Sequence, residues 1–311
     1  MIRTWDGAGW VPAKLRLGPD AAAARVWDGE SWRALNSGGD SGSGPLPPTT
    51  DPIIQQMRPL RHATVVDIGP DDDFSATVNA AVAARPAASH DTRILFRIAP
   101  GEYPNVALTP RIKWVSFVST TGDPGDVLLI GDPDYAVKGV LDVYECLYAE
   151  GITVRSTLSA ATGTYAVHGE QQWTKIFVRC RLESAPGFWT HGVDGGGGGT
   201  TVFYQSRLDT DRDSATNIHG PSMVAGENLT VAFVESEVSG SISVSQMSGS
   251  DGGAETWVID SATPEVSTDH LLHLAGSTVG TVAAPSQDAR EDWPVPRDGL
   301  GDYDWRRVYG G

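Results

Sequence analysis

Apolar and polar residues alternate most clearly between Arg93 and Asn105. There Ile94, Phe96 and Ile98 interleave with Leu95, Arg97 and Ala99, the period of two that marks a strand with at least one apolar face. Pro100-Gly101 turns the chain, and Tyr103 leads into a second short strand, Val106 to Leu108. Ala63 to Ile68, Lys113 to Ser119 and Asp126 to Ile130 have the same apolar, β-branched character. Between the first of these and Arg93 the period changes. Phe74, Val78, Ala81 and Val82 fall on one helical face, Asp71-Asp72-Asp73 suits the helix N-terminus, and Pro86 marks its end. This single-faced helix fits the task of covering the open end of a stack of strands.

Downstream the strand pattern recurs. Val140 to Val154 is followed by Ile176 to Leu182, Val202 to Leu208 and Val231 to Val238, with Thr256 to Ser261 as a weaker copy. Each of the middle three sets a small residue (Cys180, Ser206, Ser236) two positions before a leucine or branched side chain, at spacings of 26 and 30 residues. A period in this range is the mark of a solenoid. The connections are far longer than hairpin loops, so the strands are parallel. The predicted fold is all-β: a right-handed parallel β-helix over residues 59–283 with one N-terminal capping helix. A β-sandwich is the alternative. Residues 284–311, with Trp293, Tyr303, Trp305 and Tyr309, form a C-terminal extension expected to lie against the body or a neighbouring subunit.

The first 36 residues differ. Arg3-Thr4-Trp5-Asp6-Gly7-Ala8-Gly9-Trp10 returns 22 residues later as Arg25-Val26-Trp27-Asp28-Gly29-Glu30-Ser31-Trp32. Asp-Gly between flanking tryptophans signals a hairpin, because the turn needs positive φ. Two small hairpins bury little surface alone, so four tryptophans must pack on each other, on another copy of the chain or on a partner. The Gly/Ser/Pro-rich stretch at 37–58 reads as a linker.

A formal net charge of −16 argues against a nucleic-acid binder, which needs clustered Lys and Arg. Cys146 and Cys180, the two cysteines, sit in apolar segments and read as buried free thiols rather than a zinc site. No run has the length of a membrane span, and the first residues carry no apolar signal region.

Asp73-Phe74, Pro86, the strand Arg93 to Ile98, Pro100-Gly101-Glu102-Tyr103 and Ile130-Gly131-Asp132 together resemble the opening of pectinesterase-like, pectin-lyase-type β-helix proteins. Two departures stand out. There is one extra residue between Phe74 and Val78, and Pro104-Asn105 replaces the Glu usual after the Tyr. The resemblance implies a β-helix. In that family the esterases use two Asp carboxylates on neighbouring turns, supported by Gln and Arg. The first motif would fall at Gly187-Phe188-Trp189-Thr190-His191, where neither Gln nor Asp stands. The second falls near Asp213 to Gly220, where Asp213 is the one candidate catalytic carboxylate. A general acid needs a base or nucleophile close by.

The Trp-Asp-Gly repeat is similar to segments in minor tail proteins of phages infecting actinobacteria. The order of attachment module, linker and β-helix resembles phage tail fibres and tailspikes. These likenesses imply a virion component. Its residues 1–36 would join other tail proteins, a homo-oligomer (a trimer by analogy) would form, and its β-helix groove would contact host polysaccharide without turnover. A carbohydrate-active esterase or lyase with an altered site is the alternative.

The groove residues are Trp189, His191, Asp194, Asp213 and His219. An aromatic ring beside His and Asp suits stacking on a sugar and bonding to its hydroxyls, with Phe188 to Asp194 read as a loop. Asp209, Asp211 and Asp213 have the alternating carboxylates of a calcium loop. Ser214 replaces the turn glycine, however, and Gly220 stands where a bidentate Glu belongs, so calcium and solvated aspartates are both open.

Overall fold

The computed structural model describes strand segments within residues 1–45. From Leu46 to Ala283 it describes the chain except for 60–61, 86, 110–111, 133–138, 157–164, 171–173, 184–187, 192–199, 210–213, 220–229, 240, 246–254, 269–270 and 280–281. The chain divides into two compact units, Met1–Gly44 and Pro45–Gly311.

In the first unit β1 (Arg3–Trp5) pairs antiparallel with β2 (Trp10–Pro12), while β3 (Lys14–Arg16), β4 (Arg25–Trp27) and β5 (Trp32–Ala34) form an antiparallel sheet. Trp5 lies opposite Trp10, and Trp27 opposite Trp32, so the two tryptophans of each repeat copy face each other in register.

The second unit begins with α1 (Pro52–Met57), β6 (Thr64–Ile68) and α2 (Phe74–Ala84). The chain then winds through β7 (Ile94–Ile98), β8 (Gly101–Val106), β9 (Ile112–Ser119), β10 (Val127–Gly131), β11 (Gly139–Glu150) and β12 (Thr153–Arg155). Five coils follow, each giving one strand to each of three faces. They are β13 (Tyr165–Glu170), β14 (Lys175–Val178) and β15 (Arg181–Glu183); β16 (Phe188–His191), β17 (Thr200–Tyr204) and β18 (Arg207–Asp209); β19 (Ser214–His219), β20 (Thr230–Val234) and β21 (Glu237–Val238); β22 (Ser241–Ser245), β23 (Glu255–Ile259) and β24 (Ala262–Thr263); and β25 (Val266–Thr268), β26 (Leu271–Ala275) and β27 (Thr278–Val279).

Face A comprises the first part of β11 with β13, β16, β19, β22 and β25. Face B comprises β6, β7, β9, the last part of β11, β14, β17, β20, β23 and β26. Face C comprises β8, β10, β12, β15, β18, β21, β24 and β27. All these pairings are parallel, so the chain is a β-solenoid and not a sandwich. β28 (Val282–Ala283) turns back antiparallel on β27, which shields that strand's edge.

The interior is built from stacked like residues, because each coil rests on the one before in register. On face B, Phe96 aligns with Phe117, and Phe177, Phe203 and Phe233 continue the row beyond Ala149. Their rings stack at centroid distances of 5.2 Å for Phe96–Phe117, 5.1 Å for Phe177–Phe203 and 5.0 Å for Phe203–Phe233. Each such pair contributes about 0.5–1.5 kcal/mol beyond its buried area. Face C supplies the opposing column Tyr103, Leu129, Val154, Leu182, Leu208 and Val238, all buried.

α2 closes the N-terminal end. Asp73 caps it by accepting the Ala76 amide at 2.9 Å, and Phe74 and Val78 are buried in the core. The Phe74 ring lies 5.4 Å from that of Tyr103, whose hydroxyl donates to the Ala99 carbonyl at 2.7 Å. A Cβ on Gly101 would come within 2.9 Å of the Pro70 ring, which explains glycine there. Phe74 and Tyr103 therefore hold the capping helix to the first coils.

The second half of the expected linker is folded. Residues 46–58 form a strap whose helix α1 lays Ile54 and Met57, both fully buried, against the outer side of face B (Tyr148, Ile176, Val178, Val202). The Asp51 side chain caps α1 by accepting the Ile53 amide at 2.8 Å, and Pro52 opens the helix. Arg58 fastens the far end, donating to buried Glu150 at 2.9 Å, and Tyr148 donates to the same carboxylate at 2.7 Å. Burial, followed by the Glu150 carboxylate, pushes the Tyr148 phenol well above its ordinary pKa. The C-terminal extension, 284–311, lies outside the described residues.

Candidate functional site

Among the described residues, polar positions come together in a row along face A, in a charge ladder on face C and in a cleft at the corner between faces B and C.

The face A row is set by register. Asp142 aligns with His168, His168 with Trp189, Trp189 with Asn217, Asn217 with Ser243 and Ser243 with Ser267. The row is polar or aromatic throughout. The rows on either side, Leu141–Val167–Phe188–Thr216–Ile242–Val266 and Val143–Gly169–Thr190–Ile218–Val244–Thr268, are largely apolar. Leu141 and Val167 are buried in the core. Trp189 and His191 were expected in a loop but lie in strand β16, because Phe188–His191 pairs with Val167–Glu170. His191 follows Thr190 and His219 follows Ile218, and Thr190 and Ile218 are aligned, so the two histidines end neighbouring strands. Three of the groove residues read from the sequence are thus brought onto one face. Asp194, Asp211 and Asp213 lie outside the described residues.

Asp209 belongs elsewhere, on face C. Its two oxygens accept from Arg181 at 2.7 Å and Arg207 at 2.7 Å. It is one rung of a charge ladder that runs Arg155, Glu183, Arg181, Asp209, Arg207, Glu237 along the coils. Hydrogen bonding to Asp209 raises the Arg207 pKa. The Asp209 carboxylate is therefore engaged by arginines rather than presented to a cation. Among the described residues no group of His, Cys, Asp and Glu has the arrangement of a metal site.

The corner cleft follows from the backbone. Where face B passes into face C, each coil turns through a residue of positive φ: Gly151 (65°), Arg179 (50°), Gln205 (49°), Glu235 (51°), Asp260 (47°) and Gly276 (59°). After Gly151 the next residue is the buried Ile152; after the other five it is a small buried residue, Cys180, Ser206, Ser236, Ser261 or Ser277. These five form a ladder. The amide of Cys180 donates to Ser206 Oγ at 3.1 Å, that of Ser206 to Ser236 Oγ at 3.1 Å, that of Ser236 to Ser261 Oγ at 3.0 Å and that of Ser261 to Ser277 Oγ at 3.1 Å.

The left-handed residues form a second column on the outside. Arg179 Nε donates to Gln205 Oε1 at 3.1 Å, and Gln205 Nε2 donates to Glu235 Oε2 at 2.8 Å. The strap completes the cleft. Asp51 Oδ2 accepts from the Tyr204 hydroxyl at 2.8 Å and from Gln205 Nε2 at 3.4 Å. The cleft has a volume of about 370 Å³, with Pro48, Thr49, Thr50 and Ile53 on its strap side.

The sequence reading passed over Arg179, Gln205 and Glu235. The available signal was their position, each directly before one of the recurrent small residues Cys180, Ser206 and Ser236.

The class defined by this architecture is a parallel β-solenoid. The chain matches no protein-family model, no curated protein and no solved structure. No helix among the described residues is long and apolar enough to cross a membrane.

Proposed function

We propose that the chain is a binding component of a phage tail, with a solenoid that contacts host cell-wall polysaccharide along face A and does not turn it over. One observation carries the reading: the in-register row Asp142–His168–Trp189–Asn217–Ser243–Ser267 between two largely apolar rows. The register sets this row between flanking positions that include the core residues Leu141 and Val167, and Asp142 at its head is itself buried. Successive coils repeat at about 4.8 Å. A linear series of hydrogen-bonding residues with an aromatic among them suits an extended, hydroxyl-rich chain. The Trp-Asp-Gly hairpins, forming a compact unit of their own, fit an attachment module, and the sequence resemblance to minor tail proteins supplies the virion setting.

The test is binding of the full chain to purified actinobacterial cell-wall polysaccharide. Retention that falls at least tenfold in Trp189→Ala, with no release of acetate, methanol or new sugar ends, supports the reading. Release of any of these products favours the esterase or lyase reading. Absence of binding refutes both.

A further inference from the structure

We infer that the corner cleft between the strap and the left-handed column is a pocket for a single neutral saccharide residue, distinct from the face A row. The ligand class rests on the glycan-binding reading proposed above; the pocket itself rests on side-chain geometry.

The volume of about 370 Å³ falls within the range of small-molecule sites. Its polar wall consists of planar groups already held by one another. The Arg179 guanidinium, the Gln205 amide and the carboxylates of Glu235 and Asp51 are linked through hydrogen bonds of 3.1, 2.8 and 3.4 Å. Guanidinium offers donors, carboxylate offers acceptors and amide offers both, the combination that vicinal hydroxyls satisfy. Pro48, Pro52 and Ile53 add apolar surface for the flat side of a sugar ring. Two carboxylates against one guanidinium leave the wall acidic, which disfavours phosphate and carboxylate ligands, while the guanidinium disfavours a metal cation.

The backbone supplies a second line of argument. A position of positive φ costs least as glycine, which is used at Gly151 and Gly276, while Asp260, beyond the cleft, also adopts it. Along the cleft, three successive coils place Arg179, Gln205 and Glu235 in that conformation instead. Strained backbone that presents long polar side chains to a cavity is the pattern found at ligand sites. Asp51 ties the pocket to the strap, because the carboxylate that caps α1 through Oδ1 also receives Tyr204 and Gln205 through Oδ2.

The experiment is ligand-observed NMR on the full chain with glucose, galactose, mannose, arabinose, rhamnose and N-acetylglucosamine. At least one is expected to bind at millimolar concentration. Arg179→Gly and Gln205→Gly, which suit the left-handed backbone, are expected to weaken it at least tenfold, as is Thr50→Trp, which fills the cleft from the strap. Glu102→Gln, exposed on face C and in neither candidate site, is expected to leave it unchanged, and the thermal midpoint of each variant checks that it is folded. No binding by any of the six sugars overturns the inference, as does binding that persists in all three cleft variants. Loss of polysaccharide retention in Trp189→Ala alone, with no sugar bound in the cleft, sinks the pocket and leaves the face A reading standing. Sugar binding lost only in the cleft variants, with polysaccharide retention unaffected by Trp189→Ala, does the reverse.

Discussion

The amide of Ser206 donates to the hydroxyl of Ser236 at 3.1 Å, one coil further along, and the single Ser236 hydroxyl proton is shared between the Val234 and Phe203 carbonyls, each 3.0 Å away. One small side chain thus satisfies backbone groups of two coils at a corner where the sheet ladder is interrupted. Unpaired, those groups would be costly in so dry an interior.

Ser236→Ala leaves the buried Ser206 amide without its acceptor and should cost about 1–3 kcal/mol by urea unfolding. Cys180→Ser should cost less than about 1 kcal/mol, because the thiol already acts as a ladder member, donating to the Val178 carbonyl at 3.4 Å. Equal losses in the two variants would argue against the ladder.

Gly151→Ala tests the same corner from the backbone side. Its φ is 65°, and an added Cβ would lie within 2.6–2.7 Å of the Gly122 backbone. Both strain and a clash with main chain that cannot swing aside follow, so a loss of about 3 kcal/mol or more is expected. A variant as stable as the parent would contradict the packing of these two coils.

The solenoid was legible because its inward residues recur. Phe177, Phe203 and Phe233 come from strands that read as apolar runs, and the spacing of Cys180, Ser206 and Ser236 follows the coil length. Face A was harder to see. Strands such as Phe188–His191 and Ser214–His219 are short and rich in polar residues, so their pairing rests on coils far away in sequence rather than on local pattern. The strap was missed because Gly, Ser and Pro dominate the residues before it. Asp51-Pro52-Ile53-Ile54 nonetheless carries a helix start, an N-cap followed by proline. The corner cleft was invisible in principle: Asp51 and Gln205 meet across 154 residues.

His62 should make the fold acid-sensitive. Its Nε2 lies 3.0 Å from Ser116 Oγ, and burial, followed by the nearby Arg93 guanidinium, lowers its pKa from 6.5 to about 3. The unfolded chain therefore binds the proton first as pH falls. Stability is fully present above pH 6.5 and is lost from there down to about pH 3, by up to about 1.4 kcal/mol per pH unit. His62→Gln should flatten that part of the stability–pH curve. An unchanged slope would place the sensitivity in other groups.

Lys175 gives the opposite experiment. It is 1% exposed, in a row with the core residues Leu147 and Val231, and burial lowers its pKa from 10.5 to about 8. Below pH 8 the folded chain carries a buried ammonium, so stability rises as pH moves from 8 to 10.5. Lys175→Met should raise stability at pH 7 by about 1–3 kcal/mol. The gain should shrink above pH 8 as the parent lysine loses its proton. A destabilised variant would mean that the lysine's interactions outweigh its desolvation.

The most direct measurement is the distance between spin labels at Glu102→Cys and Thr278→Cys. Both positions are exposed on face C, while Cys146 and Cys180 are buried and burial pushes the Cys180 thiol up to about 12, so labelling is selective. Register connects the two positions through Leu128, Thr153, Arg181, Arg207, Glu237 and Ala262, seven ladder steps in all. At about 4.8 Å per step, one-directional stacking predicts a backbone separation of about 34 Å, and about 19 Å for the four-step pair Glu102 and Arg207. Distances in that proportion support the account. A Glu102–Thr278 separation no longer than that of Glu102–Arg207 would mean that the chain folds back on itself, and would contradict it.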